Sequence, residues 1–211
     1  MLTAVIADIH GNLSGLLPVL DDIAACKCDR IVCLGDIVDG GPENAGTLEK
    51  LRSYPAGYFA SVRGNHDEYP SGVSREGGEF LRGLPESLIE NDVIYTHISP
   101  RKKANYIATP IDAWMVFDDT PWRLIFVGHY HAPAIFGAKC STPVSATRYP
   151  IEYGHALTLD IRDRYIVRVG AIGYSRDMTD RPVYCLYDDS QGTIEMRIVE
   201  GPLLDLAFRL P

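Results

Sequence analysis

The chain has 211 residues, 46% of them hydrophobic and 23% charged, and its formal net charge is −8. This is the mixture of a globular protein with room for a sizeable core, and the acidic balance argues against a nucleic-acid polymer as a partner. No apolar run approaches the ~20 residues that cross a bilayer, and residues 1–10 lack the features of a signal peptide. We therefore expect one cytoplasmic, soluble domain over residues 1–211 that makes no membrane contact; a homo-oligomer is compatible with the sequence.

Strand and helix patterns alternate over the first two thirds of the chain. Residues 3–7 predict a strand, and the apolar spacing from Leu13 to Ala24 predicts a helix with Ser14 as its N-cap. Further strands are predicted at residues 30–34, 58–62, 93–95 and 123–127, and further helices at residues 44–51, before Leu84 and over 105–117. The first five strands make this an α/β chain, in which sites form beyond the carboxyl ends of strands.

The last third of the chain is rich in strand patterns. Residues 156–161 and 165–169 predict an antiparallel pair joined by a tight turn at residues 162–164. Residues 183–187 and 193–199 predict a second antiparallel pair.

Each of the first five predicted strands ends in a polar loop, and five of the six histidines lie in these loops. The polar side chains there are Asp8, His10, Asp36, Asn65, His66, Asp67, His97, His129 and His131. Carboxylate and amide oxygens together with imidazole nitrogens suit manganese, iron, zinc or related divalent ions. Residues i and i+2 of an extended segment point to the same side. We therefore expect the side chains of Asp8 and His10 to reach one small volume, and likewise those of His129 and His131. His155 is interpreted as structural.

Five motifs in order resemble those of the calcineurin-like metallophosphoesterase superfamily. They are Asp8-Ile-His10, Gly35-Asp36, Gly64-Asn65-His66-Asp67, Thr96-His97 and Gly128-His-Tyr-His131. Their extended forms and the tail from Gly170 to Asp177 are similar to the small bacterial and archaeal phosphodiesterase branch, so the resemblance covers nearly the whole chain. It implies a layered β-sandwich of mixed sheets flanked by helices.

The resemblance also implies a centre with two divalent metal ions. Manganese is the expected ion, with iron, zinc, nickel and magnesium as alternatives. By this resemblance, the first ion corresponds to a site formed by Asp8, His10 and His131. The second ion corresponds to a site formed by Asn65, His97 and His129, and Asp36 corresponds to the carboxylate that bridges the two ions. A bridging carboxylate holds two cations ~3.5–4 Å apart, and a hydroxide between them attacks phosphorus.

Three catalytic residues follow from the same resemblance. His66 corresponds to the histidine that protonates the leaving oxygen, Asp67 is expected to orient it, and Asn65 is expected to bond a phosphate oxygen as well as a metal. The chain is thus expected to hydrolyse a small phosphorylated substrate, either a phosphodiester or a phosphomonoester.

Two other functions compete with hydrolysis. A catalytically inactive scaffold is known in the family as a retromer subunit, but that subunit lost the histidine that His66 retains here. Metal storage or sensing ranks last, since it gives no reason for His66 and Asp67.

The chain also departs from the family at three places. Gly40 stands where phosphoprotein phosphatases and diadenosine tetraphosphatases carry a phosphate-clamping arginine, which disfavours their substrates. Ile98 replaces a glycine beside His97, and Arg168-Val169 replaces Asn-Pro ahead of the tail.

Overall fold

The computed structural model describes residues 1–101, 106–141 and 144–205. These residues form twelve strands and four α-helices. In chain order the strands are β1 (Leu2–Ile6), β2 (Arg30–Cys33), β3 (Phe59–Ser61), β4 (Ser87–Glu90), β5 (Val93–Thr96), β6 (Leu124–Val127), β7 (Ala134–Ala138), β8 (Thr147–Tyr149), β9 (Ala156–Thr158), β10 (Arg164–Arg168), β11 (Val183–Asp188) and β12 (Thr193–Ile198). The helices are α1 (Leu13–Ala25), α2 (Asn44–Arg52), α3 (Arg75–Gly83) and α4 (Pro110–Asp119), and His66–Glu68 form a 3-10 turn.

The strands make two mixed six-stranded sheets. The first sheet has the order β3-β2-β1-β11-β12-β9, and the second has the order β4-β5-β6-β10-β7-β8. Strands β1, β2 and β3 run parallel in the first sheet, as do β5, β6 and β10 in the second. The predicted layered arrangement of mixed sheets flanked by helices is confirmed.

Alternation along the strands separates the core into layers. In β1, Val5 packs between the two sheets with Tyr95 and Phe126, whereas Ile6 faces the helices α1 to α3. Successive side chains of a strand point to opposite faces, so one apolar strand supplies two cores. Helix α4 covers the outer face of the second sheet, where Phe117 packs.

Helix α1 begins two residues earlier than its predicted cap implies. Asn12, and not Ser14, is the N-cap, because its side chain accepts a hydrogen bond from the Gly15 N–H at 3.1 Å. Ser14 lies inside the helix, and its hydroxyl donates to Glu43. Pro18 is tolerated within this helix.

Helix α4 is shorter at its start than predicted. It begins at Pro110, with Thr109 and Asp112 forming a capping box. Proline at the first helical position and this reciprocal pair are strong start signals. Position 105, where the helix was predicted to begin, lies outside the described residues.

One of the two predicted antiparallel pairs is wrong. Strand β9 pairs with β12 in the first sheet, whereas β10 lies in the second sheet between β6 and β7. The turn between them therefore carries the chain from one sheet to the other, and long-range pairing buries Ile166 and Val167 on both faces of β10. The pair β11 and β12 is confirmed. Within the described residues, no helix is both long and apolar enough to span a bilayer.

Candidate metal centre

The polar loops that follow the parallel strands meet at one end of the two sheets. Asp8 and His10 follow β1, Asp36 follows β2, and residues 65–67 follow β3 in the first sheet. His97 follows β5, and the pair at residues 129 and 131 follows β6 in the second. The carboxyl ends of the parallel strands in both sheets thus face a common volume.

The loops reach this volume through left-handed backbone and not through extended segments. Eight non-glycine residues of the described chain have positive φ, and six belong to this site. These six are Asp8, His10, Asp36, Asp39, His129 and His131, with φ between 52° and 73°. Such conformations are uncommon for residues with a Cβ and cluster at functional sites. The expectation of an extended segment at these two pairs is therefore wrong, although their side chains do enter the site.

The first group of ligand atoms comes from four buried side chains. Asp8, His10, Asp36 and His131 each present one atom within 4.8 Å of the others. His10 Nε2 lies 3.6 Å from Asp36 Oδ2, and His131 Nε2 lies 3.5 Å from Asp8 Oδ1. The group combines two carboxylates and two imidazoles, a donor set that binds divalent ions.

The second group shares Asp36 with the first. Asp36, His97 and His129 present atoms within the same 4.8 Å limit. His97 Nε2 lies 3.2 Å from Asp36 Oδ2 and 3.0 Å from the amide oxygen of Asn65. The structure therefore brings all seven residues predicted as metal ligands together, and the pair His129 and His131 divides between the two groups.

Backbone carbonyl oxygens determine which ring nitrogen faces the centre. The contacts are His10 Nδ1 to Asp39 O at 2.6 Å, His97 Nδ1 to Leu34 O at 2.7 Å, and His131 Nδ1 to Tyr174 O at 3.1 Å. A carbonyl oxygen only accepts, so in each neutral ring Nδ1 carries the proton and Nε2 keeps its lone pair. This is the arrangement that prepares an imidazole to bind a metal ion.

The arrangement of these atoms fits a cation. His10 Nε2 and His131 Nε2 lie 3.3 Å apart, and two lone pairs at that distance repel unless a positive charge lies near both. Asp8 Oδ2 is buried and has no hydrogen-bond partner among the described residues, although buried polar atoms are normally paired. A divalent ion would satisfy all three atoms, so the residues fit the metals that the sequence implies.

The pKa shifts of the two buried carboxylates, Asp8 and Asp36, also indicate a site that favours a cation. Burial raises the pKa of Asp8 well above its usual range, and the charge of Asp36 adds to the rise. Burial acts in the same direction on Asp36, but His97 and His10, in their protonated forms, outweigh it and lower the pKa of that carboxyl. Neighbouring carboxylates resist joint ionisation in a low-dielectric site, and a bound cation would stabilise both charges.

His66 lies beside the first group and pairs with Asp39. Its ring centroid is 4.9 Å from that of His10, and its Nδ1 lies 2.8 Å from Asp39 Oδ2. The Ser71 hydroxyl donates to the other oxygen of Asp39 at 2.9 Å. Burial opposes ionisation of Asp39, yet the hydrogen bonds from His66 and Ser71 lower its pKa. The His66 side chain is 40% exposed, so a ligand can reach it.

Asp67 does not orient His66, which corrects the expectation from the sequence. Asp67 is fully buried, and its carboxylate accepts the backbone N–H groups of Asp36, Ile37 and Gly64 at 2.9–3.0 Å. Consecutive side chains of a 3-10 turn point about a third of a revolution apart, so His66 and Asp67 face different partners. Burial raises the pKa of Asp67 to about 6. Through its hydrogen bonds, Asp67 holds the backbone of the loop that carries Asp36.

Two glycines allow the loops after β2 and β3 to touch. A Cβ on Gly64 would lie 2.1 Å from Asp36 Oδ1, and one on Gly35 would lie 2.4 Å from Gly64 N. Gly35 also has φ +94°, a conformation that side chains disfavour. Because these two positions have no side chain, the loop after β3 can lie directly against Asp36, the carboxylate that both ligand groups share.

Two tyrosines near the ligands did not stand out in the sequence. Tyr174 is buried, with its ring 3.8 Å from that of His131. Tyr106 is 51% exposed and stacks on His129 at 4.8 Å. Tyr106 lies in no recognisable motif and Tyr174 lies in the tail from Gly170 to Asp177, but only the folding of distant segments brings either ring to the ligands.

Two facing mixed sheets carry two ligand groups at one end, and Asp36 belongs to both groups. This combination of fold and site is that of a metallophosphoesterase. A family model described as calcineurin-like phosphoesterase matches residues 1–133. The chain therefore belongs to the calcineurin-like phosphoesterase family.

Three known proteins illustrate what the chain is similar to. An uncharacterized protein of Methanocaldococcus jannaschii is 29% identical, over 94% of this chain and 87% of that protein. A symmetrical bis(5'-nucleosyl)-tetraphosphatase of Dechloromonas aromatica is 38% identical over 43% of this chain and 32% of that protein. The crystal structure of a metallophosphoesterase from Sphaerobacter thermophilus matches with a TM-score of 0.79 at 28% identity, covering 95% of this chain and 89% of that one.

Proposed function

We propose that this protein hydrolyses a small phosphate ester, either a diester or a monoester, at a centre that binds two divalent cations. The observation that carries the proposal is the sharing of Asp36 by two groups of ligand atoms, with His66 beside the first group. The first cation would be held by Asp8, His10, Asp36 and His131, and the second by Asp36, Asn65, His97 and His129. Manganese is the ion we propose, with iron, zinc, nickel and magnesium as alternatives.

Two bound divalent cations supply an activated water and neutralise charge on the phosphoryl oxygens. The chain's own residues then determine where the substrate lies and where its proton comes from. The Asn65 carbonyl oxygen faces His97 Nε2, which leaves its NH₂ group to donate to a phosphoryl oxygen. The amide can thus orient the substrate from the same side chain that contributes to the second ligand group.

His66 is proposed as the general acid. Asp39 fixes one ring nitrogen, so Nε2 is the atom that delivers a proton to the leaving oxygen. A positioned acid of this kind contributes about 10²- to 10⁴-fold to a rate. Asp39 is a positioning residue, and Asp67 acts only through the loop that carries Asp36.

The test is hydrolysis of p-nitrophenyl phosphate and bis-p-nitrophenyl phosphate in the presence of Mn²⁺. We expect turnover of at least one ester, and we expect His66→Ala to lower kcat by about 10²- to 10⁴-fold with unchanged bound metal. His155→Ala is the matched control, because His155 is exposed and its ring makes one hydrogen-bond contact within the described residues, to Tyr153 O. Failure of the metal-loaded protein to cleave these esters or a panel of nucleotides would favour the alternative, a catalytically inactive scaffold.

A further inference from the structure

The segment of residues 170–177, which follows β10, packs against the first ligand group. Gly173 N donates to Asp8 O at 2.7 Å, and Arg176 N donates to His131 O at 3.1 Å. The Tyr174 ring lies 3.8 Å from the His131 ring and 4.9 Å from the His10 ring. The proposed hydrolysis uses none of these contacts, yet they fix the segment at the edge of the metal centre.

Arg176 carries a positive charge from this segment to the rim of the centre. The residue is exposed, its Nη2 lies 3.4 Å from the Tyr174 hydroxyl, and its Cζ lies 5.6 Å from the centre of that ring. One tyrosine ring therefore separates the guanidinium from two proposed metal ligands.

Arg176 has no acidic partner within the described part of the chain, whereas three other surface arginines are paired. Arg75 pairs with Glu79, Arg162 with Asp160, and Arg181 with Glu200. An arginine held beside a metal centre without a carboxylate offers up to five N–H donors to an incoming anion.

The loop after β2 has no arginine at position 40. Gly40 has no side chain, and a Cβ there would lie 3.4 Å from His10. Arg176 approaches His10 through Tyr174, whose ring lies 4.9 Å from that of His10.

We propose that Arg176 binds a phosphate oxygen of the substrate and thereby favours phosphomonoester dianions over phosphodiester monoanions. This rests on the proposed hydrolysis at the same centre. Asp8 and Asp36 only partly neutralise two divalent cations, and Arg176 adds one more positive charge. An ester with two negative charges therefore gains more from the guanidinium than an ester with one, since charge-assisted hydrogen bonds scale with both charges.

The test compares Arg176→Ala with the wild type on p-nitrophenyl phosphate and bis-p-nitrophenyl phosphate. We expect kcat/KM for the monoester to fall about 10- to 100-fold, as for loss of a hydrogen bond to a charged group, and kcat/KM for the diester to change much less. Calorimetry with inorganic phosphate on the Mn²⁺-loaded protein should show weaker binding by a similar factor. Arg176→Lys should recover part of both losses, because it keeps the charge without the planar fork.

Arg181→Ala is the control, since Arg181 lies close in sequence but is paired with Glu200. Bound metal and Tm should stay unchanged in every variant. Equal losses on both esters, or unaltered monoester hydrolysis and phosphate binding, would overturn the role of Arg176 while leaving the proposed hydrolysis intact. Absence of all esterase activity in the wild type would overturn the proposed hydrolysis, and the calorimetry would then still decide whether Arg176 binds phosphate.

Discussion

Asp39 and Asp67 both lie within reach of the His66 loop, but they contact different groups. Asp39 meets the imidazole, whereas Asp67 is enclosed by three backbone N–H groups. A carboxylate against an imidazole controls the position of a proton, and a carboxylate against backbone N–H groups holds a loop. We therefore assign the positioning of His66 to Asp39.

Asp39→Asn should lower kcat by about 10- to 100-fold, because the amide keeps the size of the side chain but loses the charge that holds the His66 proton. The His10 ring should stay in place, since it contacts the backbone oxygen of residue 39 and not the side chain. Steady-state kinetics with metal analysis measures both effects. Ser71→Ala, which removes one hydrogen bond to Asp39 and leaves its charge, should cost less than about 5-fold. Full activity of Asp39→Asn would show that His66 needs no such partner.

At the scale of elements, the loops after β2 and β3 depend on the glycine at position 64. Gly64→Ala would place a methyl group 2.1 Å from Asp36 Oδ1, so the shared carboxylate must move. We expect fewer than two Mn²⁺ ions per chain and a loss of activity, measured by elemental analysis and ester hydrolysis.

Gly83→Ala is the matched control for this substitution. Nothing lies within 4 Å of a Cβ at position 83, so this variant should bind metal as the wild type does. Retention of two ions by Gly64→Ala would contradict the idea that the contact between these loops sets the position of Asp36.

Helix α1 is tied to the first sheet by Asp22. Its carboxylate accepts hydrogen bonds from Arg197 at 2.7 and 2.8 Å and from the Tyr184 hydroxyl at 2.7 Å. The hydrogen bonds from Arg197 lower the pKa of Asp22, and burial only partly opposes them. The side chain is 23% exposed, so water screens the pair only in part.

Asp22→Asn should lower the free energy of unfolding by about 1–3 kcal/mol at pH 7. Because folding lowers the pKa of Asp22, its contribution is complete above the unfolded pKa of about 3.9 and is lost as the pH falls through the folded pKa. The difference between wild type and variant in urea unfolding should therefore disappear in strong acid. Asp21→Asn, at an exposed neighbouring position, should change little at either pH, and a pH-independent loss in Asp22→Asn would contradict the ionic interpretation.

At the scale of the whole molecule, the centre joins the two sheets. Asp8, His10 and Asp36 come from the first sheet, and His97, His129 and His131 come from the second. The sheets share an apolar core that includes Val5, Val32 and Phe126. Packing of this core fixes the distance between the two sets of loops, and thereby the spacing of the ligand atoms.

The sequence was sufficient to predict the strands and the polar residues that meet beyond their ends, because a short apolar run followed by Asp or His is a local pattern. It was not sufficient for β9 and β10, since a turn between two strands does not reveal whether they share a sheet. The sequence also did not reveal which residue pairs with His66. Asp67 is adjacent in sequence, but the direction of each side chain depends on the 3-10 turn, and Asp39 arrives from another loop. Tyr106, Tyr174 and Arg176 are brought to the site only by long-range packing.

The most direct test is a crystal structure of the Mn²⁺-loaded protein with anomalous scattering recorded for manganese. Two anomalous peaks about 3.5–4 Å apart are expected, one on each side of Asp36, with the first near His10 and the second near His97. A single peak, or peaks remote from Asp36, would contradict the shared-carboxylate centre.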